Sequence, residues 1–134
     1  MLLQIPDILN SAQVQHIRQQ LEQANWQDGK QTAGHQAIKV KSNQQLAEKD
    51  PFAQELGQFL ISQLTQNPLF MSAALPNKFY PPMFNKYEGG GEYGFHVDGA
   101  VRFNPETRER VRTDVSGTLF LTNPDEYQGG ELII

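Results

Sequence analysis

A histidine and an aspartate stand two positions apart in Phe95-His96-Val97-Asp98. Successive side chains of a β-strand point to opposite faces, so His96 and Asp98 would share one face and Val97 would point to the other. Their Cα atoms would then lie about 6.5 Å apart, which is two strand rises, and the two side chains could converge on one ion. The spacing predicts a metal site, but a lone His-x-Asp also occurs on strands as an ordinary surface pair.

An imidazole and a carboxylate are two of the three ligands in a 2-His-1-carboxylate facial triad, the metal site of non-haem Fe(II) oxygenases. The chain has no cysteine, which excludes disulfides, thiolate metal sites and cysteine nucleophiles. No histidine follows Asp98 in this sequence. The other two, His16 and His35, fall in a predicted helix and a predicted loop, where we expect them to be exposed. The sequence therefore offers two ligands of such a triad and lacks the third.

Three consecutive glycines, Gly89-Gly90-Gly91, lie just before this motif and join two predicted strands. Glycine allows a sharp turn and a close approach of the backbone, although a flexible hairpin loop explains the run equally well. A phosphate-binding loop would need a following Lys-Ser or Lys-Thr pair and a helix, and the sequence has neither. The glycines therefore indicate a strand connection rather than a nucleotide-binding loop.

Two helices are predicted in the first half of the chain. Asn10 or Ser11 can cap a helix that runs through Asn25, and Asp50-Pro51 begins a second helix that Asn67-Pro68 ends. The apolar stripe of the first helix consists of Val14, Ile17, Leu21 and Ala24. The apolar stripe of the second helix consists of Phe52, Leu56, Phe59, Leu60 and Leu64. Each stripe follows helical spacing and predicts one buried face.

Short apolar runs separated by turn residues predict an all-β region after Leu69. We expect strands near residues 70–74, 83–87, 93–97, 115–121 and 131–134, and shorter ones near residues 2–5 and 37–40. Two polar segments are expected to be exposed, residues 41–45 and the arginine-containing loop at residues 102–112. The chain is thus predicted to be one α+β domain, with a helical support region at 1–68 and the first core strands at 69–134.

The composition favours a folded domain, with 38% hydrophobic and 19% charged residues. A net charge of −4 and a pI near 5.3 argue against a nucleic-acid partner, which would call for a basic surface. No apolar run is long enough to cross a membrane, and the residues after Met1 lack a signal-peptide pattern, so we expect a cytoplasmic protein. The last residues, Glu131-Leu132-Ile133-Ile134, read as a core strand, which predicts a truncated domain and leaves a homo-oligomer open.

Several segments, in this order and nearly along the whole chain, resemble the bacterial PKHD-type hydroxylases. That family belongs to the prolyl-4-hydroxylase-like group of Fe(II)- and 2-oxoglutarate-dependent dioxygenases. The segments are Lys41-Ser42-Asn43-Gln44-Gln45-Leu46, Phe84-Asn85-Lys86-Tyr87 with the three glycines, Tyr93-Gly94-Phe95-His96-Val97-Asp98, Arg112-Thr113-Asp114-Val115-Ser116-Gly117-Thr118-Leu119-Phe120-Leu121 and Gly129-Gly130-Glu131-Leu132. Several motifs in register are far more specific than any one of them.

The resemblance implies a double-stranded β-helix, or jelly-roll, core that is incomplete in this chain, with His96 and Asp98 as the first two iron ligands. It also implies Fe(2+), 2-oxoglutarate as co-substrate and L-ascorbate, which restores Fe(II) in similar enzymes. Tyr87 falls where relatives place a tyrosine that lines the co-substrate pocket, although an ordinary strand aromatic would explain it equally well. The family's third ligand, a histidine, and the basic residue that binds the far carboxylate would come from later strands, which are absent from this sequence.

The implied activity is hydroxylation of a small-molecule or peptide substrate, coupled to oxidative decarboxylation of 2-oxoglutarate. Two alternatives remain: a non-catalytic metal- or ligand-binding β-sandwich, and a structural module in which His96 and Asp98 only form hydrogen bonds. Two protein ligands bind iron less firmly than three, and the sequence has no cationic partner assigned to the co-substrate's far carboxylate. We therefore expect residues 1–134 alone to have weak activity or none.

Overall fold

The described part of the chain contains helices and antiparallel sheets, an α+β fold as predicted. The computed structural model describes residues 2–28, 41–87, 92–93, 99–104, 107–123 and 125. The helices of this part are α1 (Ser11–Glu22), α2 (Pro51–Thr65) and α3 (Pro68–Ala74). The described chain contains no helix with the length and hydropathy needed to cross a membrane.

The two long helices begin at the residues that the sequence predicts. In α1 the Asn10 side chain accepts a hydrogen bond from the Gln13 backbone N–H at 2.8 Å. Gln13 Oε1 in turn accepts one from the Asn10 N–H at 2.9 Å, which completes a capping box. In α2 the Asp50 carboxylate accepts from the N–H groups of Phe52 and Ala53 at 2.9 and 3.3 Å. These caps satisfy N–H groups that have no partner within the helix.

The predicted strand at residues 70–74 was wrong, because these residues belong to the third helix. The Asn67 side chain accepts a hydrogen bond from the Phe70 N–H at 2.9 Å, and Pro68 occupies the first helical position. Asn67-Pro68 was predicted to end a helix, and it ends α2 and begins α3. Leu75 then ends α3 with a left-handed φ of 44° and remains 78% exposed.

Seven short strands form three antiparallel sheets in the described part of the chain. The strands are β1 (Trp26–Asp28), β2 (Lys41–Ser42), β3 (Gln44–Leu46), β4 (Asn85–Lys86), β5 (Glu92–Tyr93), β6 (Val101–Asn104) and β7 (Glu109–Arg112). One sheet has the order β1-β3-β4, and the other two are the pairs β2-β5 and β6-β7. Strand β4 lies within the predicted strand at 83–87, which is confirmed in part.

Three of the predictions for the strand region were wrong. Residues 101–104 and 109–112 form the antiparallel β6-β7 hairpin, with Arg102 opposite Val111, where a loop at 102–112 was predicted. Residues 2–5 and 115–121 form no strand, because no described strand offers them hydrogen-bond partners. The predicted strands at 37–40 and 131–134 and most of the one at 93–97 lie outside the described residues.

The core lies between the helices and one face of the β1-β3-β4 sheet. Its buried apolar side chains are Leu9, Ile17, Leu46, Ala53, Leu56, Leu60 and Phe84. Leu46 and Phe84 join the sheet to this core, and the Leu46 N–H donates to the Phe84 carbonyl at 3.3 Å. Trp26 packs at the edge, where its ring N–H donates to the Leu21 carbonyl at 2.9 Å and Lys86 Nζ lies 5.5 Å from the ring centroid.

Candidate functional site

The two predicted metal ligands, His96 and Asp98, lie outside the described residues. So do the three glycines and His35, whereas His16 is exposed on α1, as predicted. Within the described ranges, no group of three or more His, Cys, Asp or Glu side chains comes together as a metal site. The assignment of His96 and Asp98 as ligands therefore stays a prediction.

The chain is paired both before and after the His96-Val97-Asp98 segment. Before it, β5 pairs with β2 in the antiparallel register Lys41 to Tyr93 and Ser42 to Glu92. After it, the Thr113 backbone N–H donates to the Ala100 carbonyl at 2.9 Å, and the Thr113 hydroxyl donates to the Gly99 carbonyl. The open end of the β6-β7 hairpin thus begins three residues after Asp98, next to the predicted ligand segment in the chain.

Tyr87 follows β4 immediately and is 49% exposed. Continuing the alternation of β4 puts Tyr87 on the same face as Asn85. The core residue Phe84 points to the other face, toward the helices. Tyr87 is therefore accessible on the sheet face opposite the helical layer.

Three side-chain amides meet on this same face, and we call Asn43, Gln45 and Asn85 the amide cluster. Gln45 and Asn85 are opposite each other in the β3-β4 register. Asn43 Nδ2 donates to Asn85 Oδ1 at 3.0 Å, and Gln45 Nε2 donates to the same oxygen. Asn43 and Gln45 are only 8% and 4% exposed. The prediction that residues 41–45 are exposed was wrong for these two, because their amide N–H groups have a partner about forty residues away in the chain.

One polar atom of the amide cluster is buried without a hydrogen-bond partner, the side-chain oxygen Oδ1 of Asn43. Leaving a buried acceptor unpaired costs about 1–3 kcal/mol. Sequence reasoning missed the cluster, although the Asn-x-Gln spacing of Asn43 and Gln45 would place both amides on one face of a strand. The missing information was the long-range partner Asn85, which only the sheet register supplies.

A second polar contact holds the β6-β7 hairpin against the segment that follows α3. The Tyr80 hydroxyl donates to Glu48 Oε1 at 2.8 Å, and the Arg102 guanidinium carbon lies 4.8 Å from the centroid of the Tyr80 ring. Burial, followed by the hydrogen bond to Glu48 and its negative charge, raises the pKa of Tyr80, which Arg102 partly counteracts. An exposed ion pair between Lys78 and Glu109, 3.5 Å apart, joins the same two segments.

The family-like segment at residues 112–121 lies outside the strands that carry the amide cluster. Ser116 and Thr118, in the segment that resembles the family, are exposed and lie in no strand. Leu121 is half-buried and packs against the core. Among the described residues, Tyr87 is thus the one predicted site residue that lies beside a polar cluster.

The chain is closely similar to bacterial proteins named PKHD-type hydroxylase. It is 56% identical to those of Parvibaculum lavamentivorans and Bordetella pertussis over 134 residues each, which is 100% of this chain and 59% of each relative. It is 56% identical to that of Methylobacillus flagellatus over 133 residues, which is 99% of this chain and 76% of the relative. No family model matches the chain.

Proposed function

Since the chain belongs to the PKHD-type hydroxylase family, we propose that the whole protein is an Fe(II)- and 2-oxoglutarate-dependent dioxygenase. It would couple oxidative decarboxylation of 2-oxoglutarate to hydroxylation of a small-molecule or peptide substrate. The observation that carries this proposal is the similarity along the entire chain to relatives named hydroxylases. The chain spans 59% of the length of two of these relatives, so the activity is proposed for the longer protein.

The donor atoms of the chain fit a ferrous ion. His96 would bind it through an imidazole nitrogen and Asp98 through a carboxylate oxygen, the two donor types of the facial triad. A second ligating histidine, as the third ligand, and a cationic residue for the co-substrate's far carboxylate are required in addition to the residues present here. The bound iron, kept ferrous by L-ascorbate, would supply the oxidising power for the C–H bond.

This chain's own residues would shape the pocket around the co-substrate and substrate. Tyr87 is exposed on the sheet face opposite the helices, which suits a side chain that lines the 2-oxoglutarate pocket. Helices α1 and α2 cover the other face and fix the position of β3 and β4. A sheet backed by helices in this way would hold Tyr87 in place beside bound groups on its other face.

We also propose that the three antiparallel sheets are parts of a jelly-roll core. Supporting this, the β1-β3-β4 sheet has one apolar face on the helices and one polar face that carries Tyr87 and the amide cluster. Residues 1–68 would then be the helical support region, and residues 69–134 would supply the first core strands. A partner other than nucleic acid is also part of the proposal, supported by the net charge of −4. We propose a cytoplasmic location as well.

The test is to add Fe(II) and 2-oxoglutarate, without oxygen, to the full-length protein that contains this chain. We expect the visible charge-transfer band of an iron-bound 2-oxo acid, and we expect His96→Ala and Asp98→Ala to remove it. His16→Ala is the matched control, because His16 is exposed on α1 and should leave the band unchanged.

Absence of the band in the native protein, or an unchanged band in His96→Ala, would favour a non-catalytic ligand-binding or structural module. Succinate release is the second measurement. We expect it from the full-length protein and not from residues 1–134 alone. Turnover by residues 1–134 would contradict the need for a third ligand.

A further inference from the structure

The amide cluster fixes the orientation of one side chain at its exposed end. Asn85 is exposed, whereas Asn43 and Gln45 are buried. A carbonyl oxygen has two lone pairs, and Asn85 Oδ1 accepts hydrogen bonds from both Asn43 Nδ2 and Gln45 Nε2. With its oxygen held by two buried amides, the polar group that Asn85 leaves toward solvent is its NH2.

Asn43 serves this orientation at the expense of its own hydrogen bonding. Asn43 donates to Asn85 while its own Oδ1 remains buried without a partner. A buried polar atom without a partner is uncommon in native structures and calls for an explanation. An apolar residue at position 43 would avoid this unpaired oxygen but would remove one of the two donors that hold the Asn85 amide.

We infer that Asn85 binds an acceptor oxygen of a ligand through its NH2 group, and that Asn43 and Gln45 are positioning residues for it. The ligand oxygen is a carbonyl or a carboxylate oxygen, because the exposed group is a neutral donor. Asn85 lies two positions before Tyr87, about 6.5 Å along the strand, and alternation puts both side chains on the same face. One small ligand can therefore contact the Asn85 amide and the Tyr87 side chain together.

Two ligands could supply this oxygen. One is called the co-substrate and the other the substrate, and both of these names rest on the proposed function. The first source is a carboxylate of 2-oxoglutarate. The second is a neutral amide carbonyl of a peptide-like substrate. Both sources use the same hydrogen bond, so separate probes are needed to distinguish them.

Three variants isolate the parts of the cluster. Asn85→Asp keeps an oxygen for Asn43 and Gln45 and loses the NH2, whereas Asn85→Ala loses both without adding charge that would repel an anion. Asn43→Leu leaves Asn85 in place but removes one of the two groups that hold it. Gln44→Ala is the matched control, since Gln44 is exposed and lies on the opposite face of β3.

The first probe is N-methylacetamide, added to the metal-free, ¹⁵N-labelled full-length protein. If the ligand is a substrate carbonyl, the side-chain NH2 signals of Asn85 shift and saturate. The second probe is 2-oxoglutarate with anaerobic Fe(II), measured by the charge-transfer band. If the ligand is the co-substrate, the affinity from this titration depends on Asn85.

For the probe that binds, we expect about a tenfold loss of affinity in Asn85→Asp and Asn85→Ala, the magnitude of one lost hydrogen bond. We expect a smaller loss, about threefold, in Asn43→Leu, and none in Gln44→Ala. In Asn85→Asp the side-chain NH2 groups of Asn43 and Gln45 should stay protected from solvent exchange, because their acceptor is kept.

The inference is overturned if neither probe depends on Asn85, or if Asn85→Asp removes the protection of the Asn43 and Gln45 side-chain NH2 groups from solvent exchange. Failure of the proposed function gives a different result, absence of the charge-transfer band in the native protein. The amide titration needs no iron, so it decides the role of Asn85 in that case as well. If Asn43→Leu fails to fold, the two variants at exposed Asn85 still test whether Asn85 binds the ligand.

Discussion

At the scale of single residues, the described part of the chain uses polar side chains to join segments that are distant in sequence. Asn85 joins β4 to Asn43 and Gln45, and Tyr80 joins the segment after α3 to Glu48. Both contacts connect residues more than thirty positions apart. Such contacts leave no local signature, which is why the sequence predicted Asn43 and Gln45 to be exposed.

The Tyr80 hydroxyl gives a testable pH dependence. Because burial and Glu48 raise the Tyr80 pKa in the folded state above its ordinary value of 10.0, folding favours the neutral phenol. The stabilisation is fully present below pH 10.0 and is lost as the pH rises through the raised pKa. We expect Tyr80→Phe to lower the unfolding free energy by less than about 1 kcal/mol at neutral pH, since the contact is exposed.

The measurement is urea unfolding of the native protein and of Tyr80→Phe at neutral pH and in steps above pH 10.0. The difference between the two proteins should shrink as the pH rises. Glu48→Gln is the control, because it keeps an acceptor oxygen and removes the charge that raises the Tyr80 pKa. A difference that grows with pH would show that the neutral phenol is not the stabilising form.

At the scale of elements, the helix starts were predictable because capping is local. Asp50-Pro51 specifies both the cap and the first turn of α2. The same logic applies to Asn67-Pro68, but a proline after a polar residue can end one helix and begin the next. The sequence analysis used this pair only as a helix end and wrongly predicted a strand at residues 70–74. The β6-β7 hairpin was missed although Val101-Arg102-Phe103 alternates, because its arginines suggested a solvated loop.

The hairpin offers a prediction about local stability. Arg102 lies over the Tyr80 ring, and a cation–π contact of this kind contributes about 0.5–1 kcal/mol at an exposed site. We expect Arg102→Gln to speed hydrogen exchange of the β6 and β7 backbone amides about two- to fivefold, because local opening becomes easier.

Arg110→Gln is the matched control for the hairpin. Arg110 pairs with Phe103, one position along from the pair of Arg102 with Val111, so its side chain lies on the opposite face. Its replacement should leave exchange near the native rate. Equal effects of the two variants would mean that the contact with Tyr80 does not hold the hairpin.

At the scale of the whole molecule, stability depends on the contact between the helical layer and the β1-β3-β4 sheet. Leu56 is 6% exposed in the centre of this core. We expect Leu56→Ala to lower the unfolding free energy by about 2–5 kcal/mol, through lost burial and the cavity that remains. Chemical denaturation of the full-length protein measures it.

Gln58→Ala on the same helix controls for changes in α2 itself. Gln58 is exposed, and a surface substitution of this kind should change the unfolding free energy by no more than about 0.5 kcal/mol. If both variants had equally small effects, the helices and the sheet would not share a core.

The overall class and the helical stripes could be predicted because hydrophobic spacing reflects burial directly. Val14, Ile17 and Leu21 do pack in or against the core, as the stripe of α1 predicts. Strand pairing could not be predicted, since residues 115–121 have the apolar pattern of a strand but no described strand pairs with them. For the candidate site, the sequence predicts the ligand pair His96 and Asp98, and the described structure adds the amide cluster beside Tyr87.

Trp26 lies where the two layers of the molecule meet, with its ring N–H bonded to the end of α1 and the Lys86 ammonium over its face. It is also the only tryptophan in the 134 residues of this sequence. Indole fluorescence responds to the polarity around the ring and to nearby charge. The fluorescence of this one side chain therefore reports whether α1 and β4 remain in place.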